Sequence, residues 1–142
     1  LPVIDRGKYS HYDNFRKGGY IISDSEGAPD ITIIATGSEV SLALEAKNKL
    51  KERNIRVVNL GCWELFDEQP LDYRSMVIDE NSFKISIEAG ITMGWQKYTG
   101  NRGLNIGIDR YGESAPGADV ADYLGMSLDK VISQIKKHII KI

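Results

Sequence analysis

Apolar residues along this chain fall into short runs with two different periods. The runs 20–22, 31–35, 56–60, 84–87 and 104–108 are brief and rich in Ile and Val, and they predict five strands. The run Ile31-Thr32-Ile33-Ile34-Ala35 is apolar on both faces, which is the pattern of a strand covered on both sides, as in a parallel sheet. Between the runs the spacing becomes helical. Val40, Ala43, Leu44, Lys47 and Leu50 share one face of a helix predicted over 39–53, with Asn54 as its stop. Leu128, Val131, Ile132, Ile135 and Ile139 form a second stripe behind Ser127, a good N-cap residue. Shorter helices are predicted at 73–78, 94–98 and 118–124, with a less regular region opening at Trp63 and broken at Gln69-Pro70. Strands alternating with helices predict an α/β domain with helices on both faces of a mostly parallel sheet.

The first 19 residues are polar and irregular, end at Gly18-Gly19, and read as a connecting arm ahead of a single domain over 20–142. A length of 142 residues fits one domain, large enough to bury roughly two-thirds of its unfolded surface. The chain starts at Leu1 without an initiator Met, so it is expected to be a piece of a longer polypeptide.

Composition narrows the class. Hydrophobic content of 42% and charged content of 27% are those of an ordinary globular chain. Eighteen basic against 20 acidic residues give a net charge of −2, with no basic block, so a nucleic-acid partner is not expected. The single cysteine, Cys62, cannot form an internal disulfide and favours a reducing compartment, taken here as the cytoplasm. No apolar run approaches the ~20 residues of a membrane span, so no membrane association is expected.

Two stretches invite a chemical reading. Thr36-Gly37-Ser38 joins a strand to a helix start, where unpaired amides and roughly half a positive charge attract anions. Ser38 can satisfy an amide as N-cap, however, and Glu39 already complements the helix dipole and repels a phosphate. The stretch has neither the lysine of a phosphate loop nor the spaced glycines of a dinucleotide fingerprint. The capping reading takes precedence, with an anion site at Thr36, Gly37 and Ser38 as the alternative.

Glu88-Ala89-Gly90 follows a strand, where open α/β sheets place their ligands. Glu88 could orient a substrate or metal, cap a helix, or pair with an arginine such as Arg102; the structural role is favoured. A nucleophilic triad is unsupported: the two histidines, His11 and His138, fall in the arm and the last helix, and no G-x-S-x-G elbow occurs. Cys62 is expected as a buried thiol, and Trp63, Phe66, Trp95 and Tyr98 as two aromatic clusters within the core.

The order of the segments is more specific than any one of them. "GGYII", "PDITIIATGSEVSLALEA", "RVVNLGCWELFDEQPLDYRSMVI", "ISIEAGITMGWQKYTG" and "GIDRYGESAPGADVADYLGMSLDKVI" together resemble the C-terminal domain of transketolases, from about Gly18 to the end. The resemblance implies a three-layer α/β/α fold on a five-stranded mixed sheet with one antiparallel edge strand, for which 20–22 is the candidate. It also implies a parent enzyme with thiamine diphosphate and Mg²⁺ or Ca²⁺, homodimeric, that moves a two-carbon ketol unit from a ketose phosphate to an aldose phosphate. In that enzyme a phosphate-binding Arg would lie just before Leu1.

The cofactor would sit on the other two domains. Its metal needs oxygen ligands of the kind a Gly-Asp-Gly followed by Asn provides, and no Gly-Asp-Gly occurs in this chain. No catalytic, cofactor-binding or metal-ligating residue is therefore expected here, and the implied role is scaffold and dimer packing. Two alternatives stand beside it. One is a regulatory anion- or nucleotide-binding module. The other is the last domain of a related thiamine enzyme, such as deoxyxylulose-phosphate synthase or a 2-oxoacid dehydrogenase β-chain. The matches at 63–66 and 112–116 favour transketolase over both related enzymes; a relative acting on dihydroxyacetone and formaldehyde stays open.

Overall fold

Five short strands pair into one sheet: β1 (Gly19–Ser23), β2 (Ile31–Ala35), β3 (Ile55–Leu60), β4 (Phe83–Ile87) and β5 (Leu104–Ile106), in the spatial order β1-β3-β2-β4-β5. The computed structural model describes residues 12–90, 92–107 and 127–139. The expected helix at 118–124, the segment 112–116, Ile108 and His11 lie outside them. β2 runs parallel to β3 and to β4, and β5 runs parallel to β4. β1 alone is antiparallel, pairing with β3 at the edge from Gly19↔Leu60 to Ser23↔Val57 across a bulge. This is the edge expected from the segment 20–22.

Side chains sort to the two faces by the strand period of two. Ile31, Ile33, Ala35, Ile55, Val57, Ile85, Ile87 and Ile106 join one core with Val40, Ala43, Leu44 and Leu50 of the α1 region. Helix α1 (Glu39–Lys49) and helix α5 (Leu128–Ile139), which adds Val131, Ile135 and Ile139, cover that face. Ile34, Val58 and Leu60 point the other way, onto Phe66, Val77, Trp95 and Tyr98. That layer is built by α2 (Trp63–Asp67), α3 (Leu71–Val77) and α4 (Gln96–Thr99). Every residue of β2 is buried, including Thr32, whose hydroxyl is matched at 2.7 Å by that of Ser82.

Several local expectations shift. α1 ends at Lys49 rather than at 53, because Leu50 leaves helical geometry (φ −105°, ψ 52°) to bury its side chain. Asn54, expected only as a stop, ties two loops together. Its amide donates to Asp30 Oδ2 at 3.1 Å, and its Nδ2 donates to the carbonyls of Glu26 and Ala28, both at 2.8 Å. Trp63–Asp67 is helical rather than irregular, and α3 starts at Leu71 because Pro70 precedes it with extended geometry (ψ 148°). Within the stretch read as an arm, Tyr12–Lys17 forms a 3-10 helix. Gly18 follows it at φ 80°, and a Cβ there would stand 2.4 Å from the Cys62 carbonyl oxygen and 2.5 Å from the Phe66 nitrogen. Only glycine lets this turn press onto the start of α2.

The charged side chain deepest in the fold is Arg56, on β3 facing the α2–α4 layer. It is 8% exposed. Its Nε donates to Asp24 Oδ1 at 2.7 Å, and its Nη1 to the Met76 carbonyl at 2.6 Å at the end of α3. On the other side of the same turn, Lys47 of α1 donates to Ser23 Oγ at 2.8 Å and to the Asp24 carbonyl at 2.6 Å. The β1–β2 turn is thus held by both helix layers. Burial alone would raise the Asp24 pKa, but hydrogen bonds from Arg56 and from the Ser25 amide hold it below 3.8. A depressed carboxyl pKa stabilises the fold above its unfolded value, and that stability is lost as pH falls through the lower, folded value.

Arg56→Met is expected to cost about 1–3 kcal/mol, because it removes the donor to the Met76 carbonyl and to the buried Val77 carbonyl at the end of α3. Asp24→Asn, at a side chain 52% exposed, is expected to cost less than about 1 kcal/mol. Urea midpoints at unchanged m-value test both, and the Asp24→Asn difference should shrink below pH 4.

Candidate functional site

β2 and β4 are neighbours whose onward connections leave in different directions. From β2 the chain passes through α1 on one face to β3; from β4 it passes through α4 on the other face to β5. The two connections part at the carboxyl ends of β2 and β4, which is where open α/β sheets form a crevice. The pairing Ala35↔Ile87 brings the two candidate stretches, Thr36-Gly37-Ser38 and Glu88-Ala89-Gly90, to the same sheet end.

The α1 start is not built as expected. Ser38 has helical angles and makes no side-chain cap; its hydroxyl donates instead to Glu39 Oε1 at 2.8 Å. The first-turn amides of Glu39 and Val40 bond to the carbonyls of Thr36 and Gly37 at 3.2 and 3.4 Å. Gly37 takes φ 60° in open space, so the turn needs its backbone freedom rather than its small size.

Glu88 accepts the Gly90 amide on Oε1 at 3.1 Å, closing a tight turn beyond β4. It does not pair with Arg102. Arg102 precedes the amino end of β5 while Glu88 follows the carboxyl end of β4, and the strands are parallel, so the length of the sheet separates them. The charge Glu88 feels is that of Glu39 instead. Burial raises the Glu88 pKa above 4.5, the Gly90 amide opposes this, and the Glu39 charge raises it further. The approach of two carboxylates at the switch point was the feature missed in the sequence. Its signal was there: one acid follows β2 by four residues, the other follows β4 by one, and the two strands pair in parallel.

Among the described residues, the carboxyl ends of β2 and β4 are each followed by one carboxylate, Glu39 and Glu88. Among the described residues no group of three or more His, Cys, Asp or Glu could hold a metal ion. With no Gly-Asp-Gly in the sequence either, the donors present do not fit a metal-bound diphosphate cofactor.

Beside the crevice lies one aromatic cluster rather than two. Trp63 meets Trp95 edge-on at 4.9 Å and Tyr98 at 5.1 Å, and Phe66 lies 6.1 Å from Tyr98. Tyr98 donates its hydroxyl to Asp67 Oδ1 at 3.0 Å, and burial followed by this carboxylate pushes its pKa up. Cys62 is half-buried rather than buried, because it stands at the α2 start with its thiol donating to Glu64 Oε2 at 3.5 Å. Around this layer apolar side chains stay in solvent: Phe15 is 52% exposed, Leu65 42% and Met93 80%. They border the α2 region, Leu65 against Gly18, Phe15 against Gly61, and Met93 next to the Gly94 on which Trp63 packs.

A five-stranded mixed α/β sheet with one antiparallel edge strand, covered by helices on both faces, defines the class of fold. Within that class, a family model described as "Transketolase-like TK C-terminal domain" matches residues 18–127, and the chain belongs to this family. It is 46% identical over 138 residues to the transketolase of Aquifex aeolicus, covering 95% of this chain and 20% of that one. It is 42% identical over 126 residues to the chloroplastic transketolase of Solanum tuberosum, covering 85% of this chain and 17% of that one. The crystal structure of the Pichia stipitis transketolase in complex with sedoheptulose-7-phosphate superposes with a TM-score of 0.87 at 30% identity, over 98% of this chain and 20% of that one. The chain thus spans about a fifth of the length of the relatives it matches. No helix among the described residues is long and apolar enough to cross a membrane.

A raised Glu88 pKa means its contribution to stability is present at acid pH and lost as pH rises through the folded value. Glu88→Gln keeps the acceptor for the Gly90 amide without the charge. It is expected to raise Tm at pH 7 by on the order of 2 °C, with the gap closing towards pH 4. Differential scanning calorimetry at the two pH values checks this.

Proposed function

We propose that this chain is the C-terminal domain of a homodimeric transketolase and serves it as a scaffold. The parent enzyme would carry thiamine diphosphate and Mg²⁺ or Ca²⁺ on its other two domains and move a two-carbon ketol unit from a ketose phosphate to an aldose phosphate. The observation that carries this reading is the near-complete match of this chain to only a fifth of full-length transketolases. The sugar phosphate bound by the Pichia stipitis relative supports the substrate class.

The chemistry of the domain agrees. Its switch point holds two carboxylates that repel a diphosphate, and it has two histidines in all, against the several that surround substrate in such an enzyme. Its exposed Phe15, Leu65 and Met93 border one helix layer, a surface suited to packing against the other domains. Arm 1–19 would be the connection to them, and 20–142 the domain proper. The cytoplasm is the proposed compartment on the strength of the single thiol, although the domain itself serves in more than one, as the chloroplastic relative attests. The alternative, an anion held at Thr36, Gly37 and Ser38, must contend with Glu39 and Glu88 on the same crevice.

Replacing the C-terminal fifth of the Aquifex aeolicus transketolase by this chain is expected to preserve two-carbon transfer. The chain alone, titrated with thiamine diphosphate and Mg²⁺ in a calorimeter, is expected to give no binding heat and no transfer. Activity or saturable heat from the chain alone would overturn the proposal, as would a well-folded but inactive chimera.

A further inference from the structure

A cluster of basic side chains lies at the end of the sheet opposite Glu39 and Glu88. There a cleft of about 680 Å³ opens between the turn before β4, the turn before β5 and the last turn of α5. Three basic side chains from three separate elements line it: Lys84 on β4, Arg102 ahead of β5, and His138 near the end of α5. Glu80 is the carboxylate among the lining residues.

The two hydroxyls of the cleft are already committed. Ser82 Oγ is matched to Thr32 and donates to the Asp79 carbonyl, and Thr99 Oγ1 bonds to Trp95 and Asn105. The basic groups are not used up. Lys84 Nζ donates to the carbonyls of Glu80 and Ser82 at 2.9 and 3.2 Å, which leaves one of its three hydrogens. Among the described residues, neither Lys84 nor Arg102 takes part in an ion pair. His138 Nδ1 donates to the Gln134 carbonyl at 2.9 Å, so His138 lines the cleft with that donor already used.

We propose that this cleft is a binding site for a small phosphate-bearing anion, held by Arg102 and Lys84. A planar guanidinium and an ammonium facing one concavity suit a phosphate dianion, the guanidinium through paired hydrogen bonds and the ammonium as a point charge. Glu80 and the carbonyl end of α5 oppose the anion, so affinity is set by two permanent cations against one carboxylate. The site lies at the far end of the strands from Thr36-Gly37-Ser38 and is independent of it.

The test uses the whole chain, isotopically labelled, titrated with inorganic phosphate, a hexose phosphate and adenosine monophosphate while backbone amide shifts are followed. Saturable shifts confined to residues 80–84, 99–103 and 138 are expected for at least one of the three. Stronger binding of the hexose phosphate or the nucleotide over inorganic phosphate identifies the source of the phosphate. Arg102→Gln, at an exposed residue, is expected to weaken binding roughly tenfold while Tm stays unchanged. Glu80→Gln is expected to tighten it by about threefold. Absence of saturable shifts with all three anions, shifts centred on 36–38 instead, or equal affinities for wild type and both variants would overturn the proposal.

Discussion

Complete burial of β2 is the constraint from which the rest of this fold follows. A strand with no exposed residue must be paired on both edges and covered on both faces. β3 and β4 supply the pairing, and the two helix layers supply the cover. Even Thr32, the polar residue in that strand, is allowed because Ser82 answers its hydroxyl. The order β1-β3-β2-β4-β5 puts this strand at the centre, with the short β5 and the antiparallel, bulged β1 at the edges, where unpaired backbone reaches water.

The crossovers that leave β2 and β4 lie on opposite faces, and this decides where chemistry can collect. Carboxyl strand ends gather Glu39 and Glu88 around the switch point; amino strand ends gather Lys84, Arg102 and His138. The acidic pair and the basic cleft therefore lie at opposite ends of one sheet, although the chain as a whole is nearly neutral at −2. An anion that a helix start would attract in isolation meets two acidic residues at the carboxyl ends of β2 and β4. Local electrostatics of side chains outweighs the helix dipole here, because a dipole end of roughly half a charge is smaller than two nearby full charges.

Arg56 shows how the layers are joined. It comes from the central part of the sheet, runs under α3 and meets Asp24 in a turn that Lys47 holds from the opposite layer. Through this link the antiparallel edge is attached to both helix layers, so the edge strand is held by side chains as well as by the ladder to β3. The exposed flank around α2, with Phe15, Leu65 and Met93, is by contrast unfinished as a monomer surface. That is what a domain making up a fifth of a longer enzyme would present to its neighbours.

The sequence by itself determined the elements and the class. The two-sided apolar run 31–35, the stripes of α1 and α5 and the odd edge at 20–22 could each be read from period and residue type, since these patterns depend on neighbours within a few positions. What tertiary structure alone decided is what meets across distance. Glu88 feels the charge of Glu39 and not that of Arg102, because strand direction, invisible in a local pattern, sends Arg102 to the opposite end. Ser38 spends its hydroxyl on Glu39, Trp63 joins Trp95 in one cluster, and Asn54 ties two loops instead of merely ending a helix. A side chain's partner is chosen by packing among all candidates within reach, and reach is a property of the folded chain.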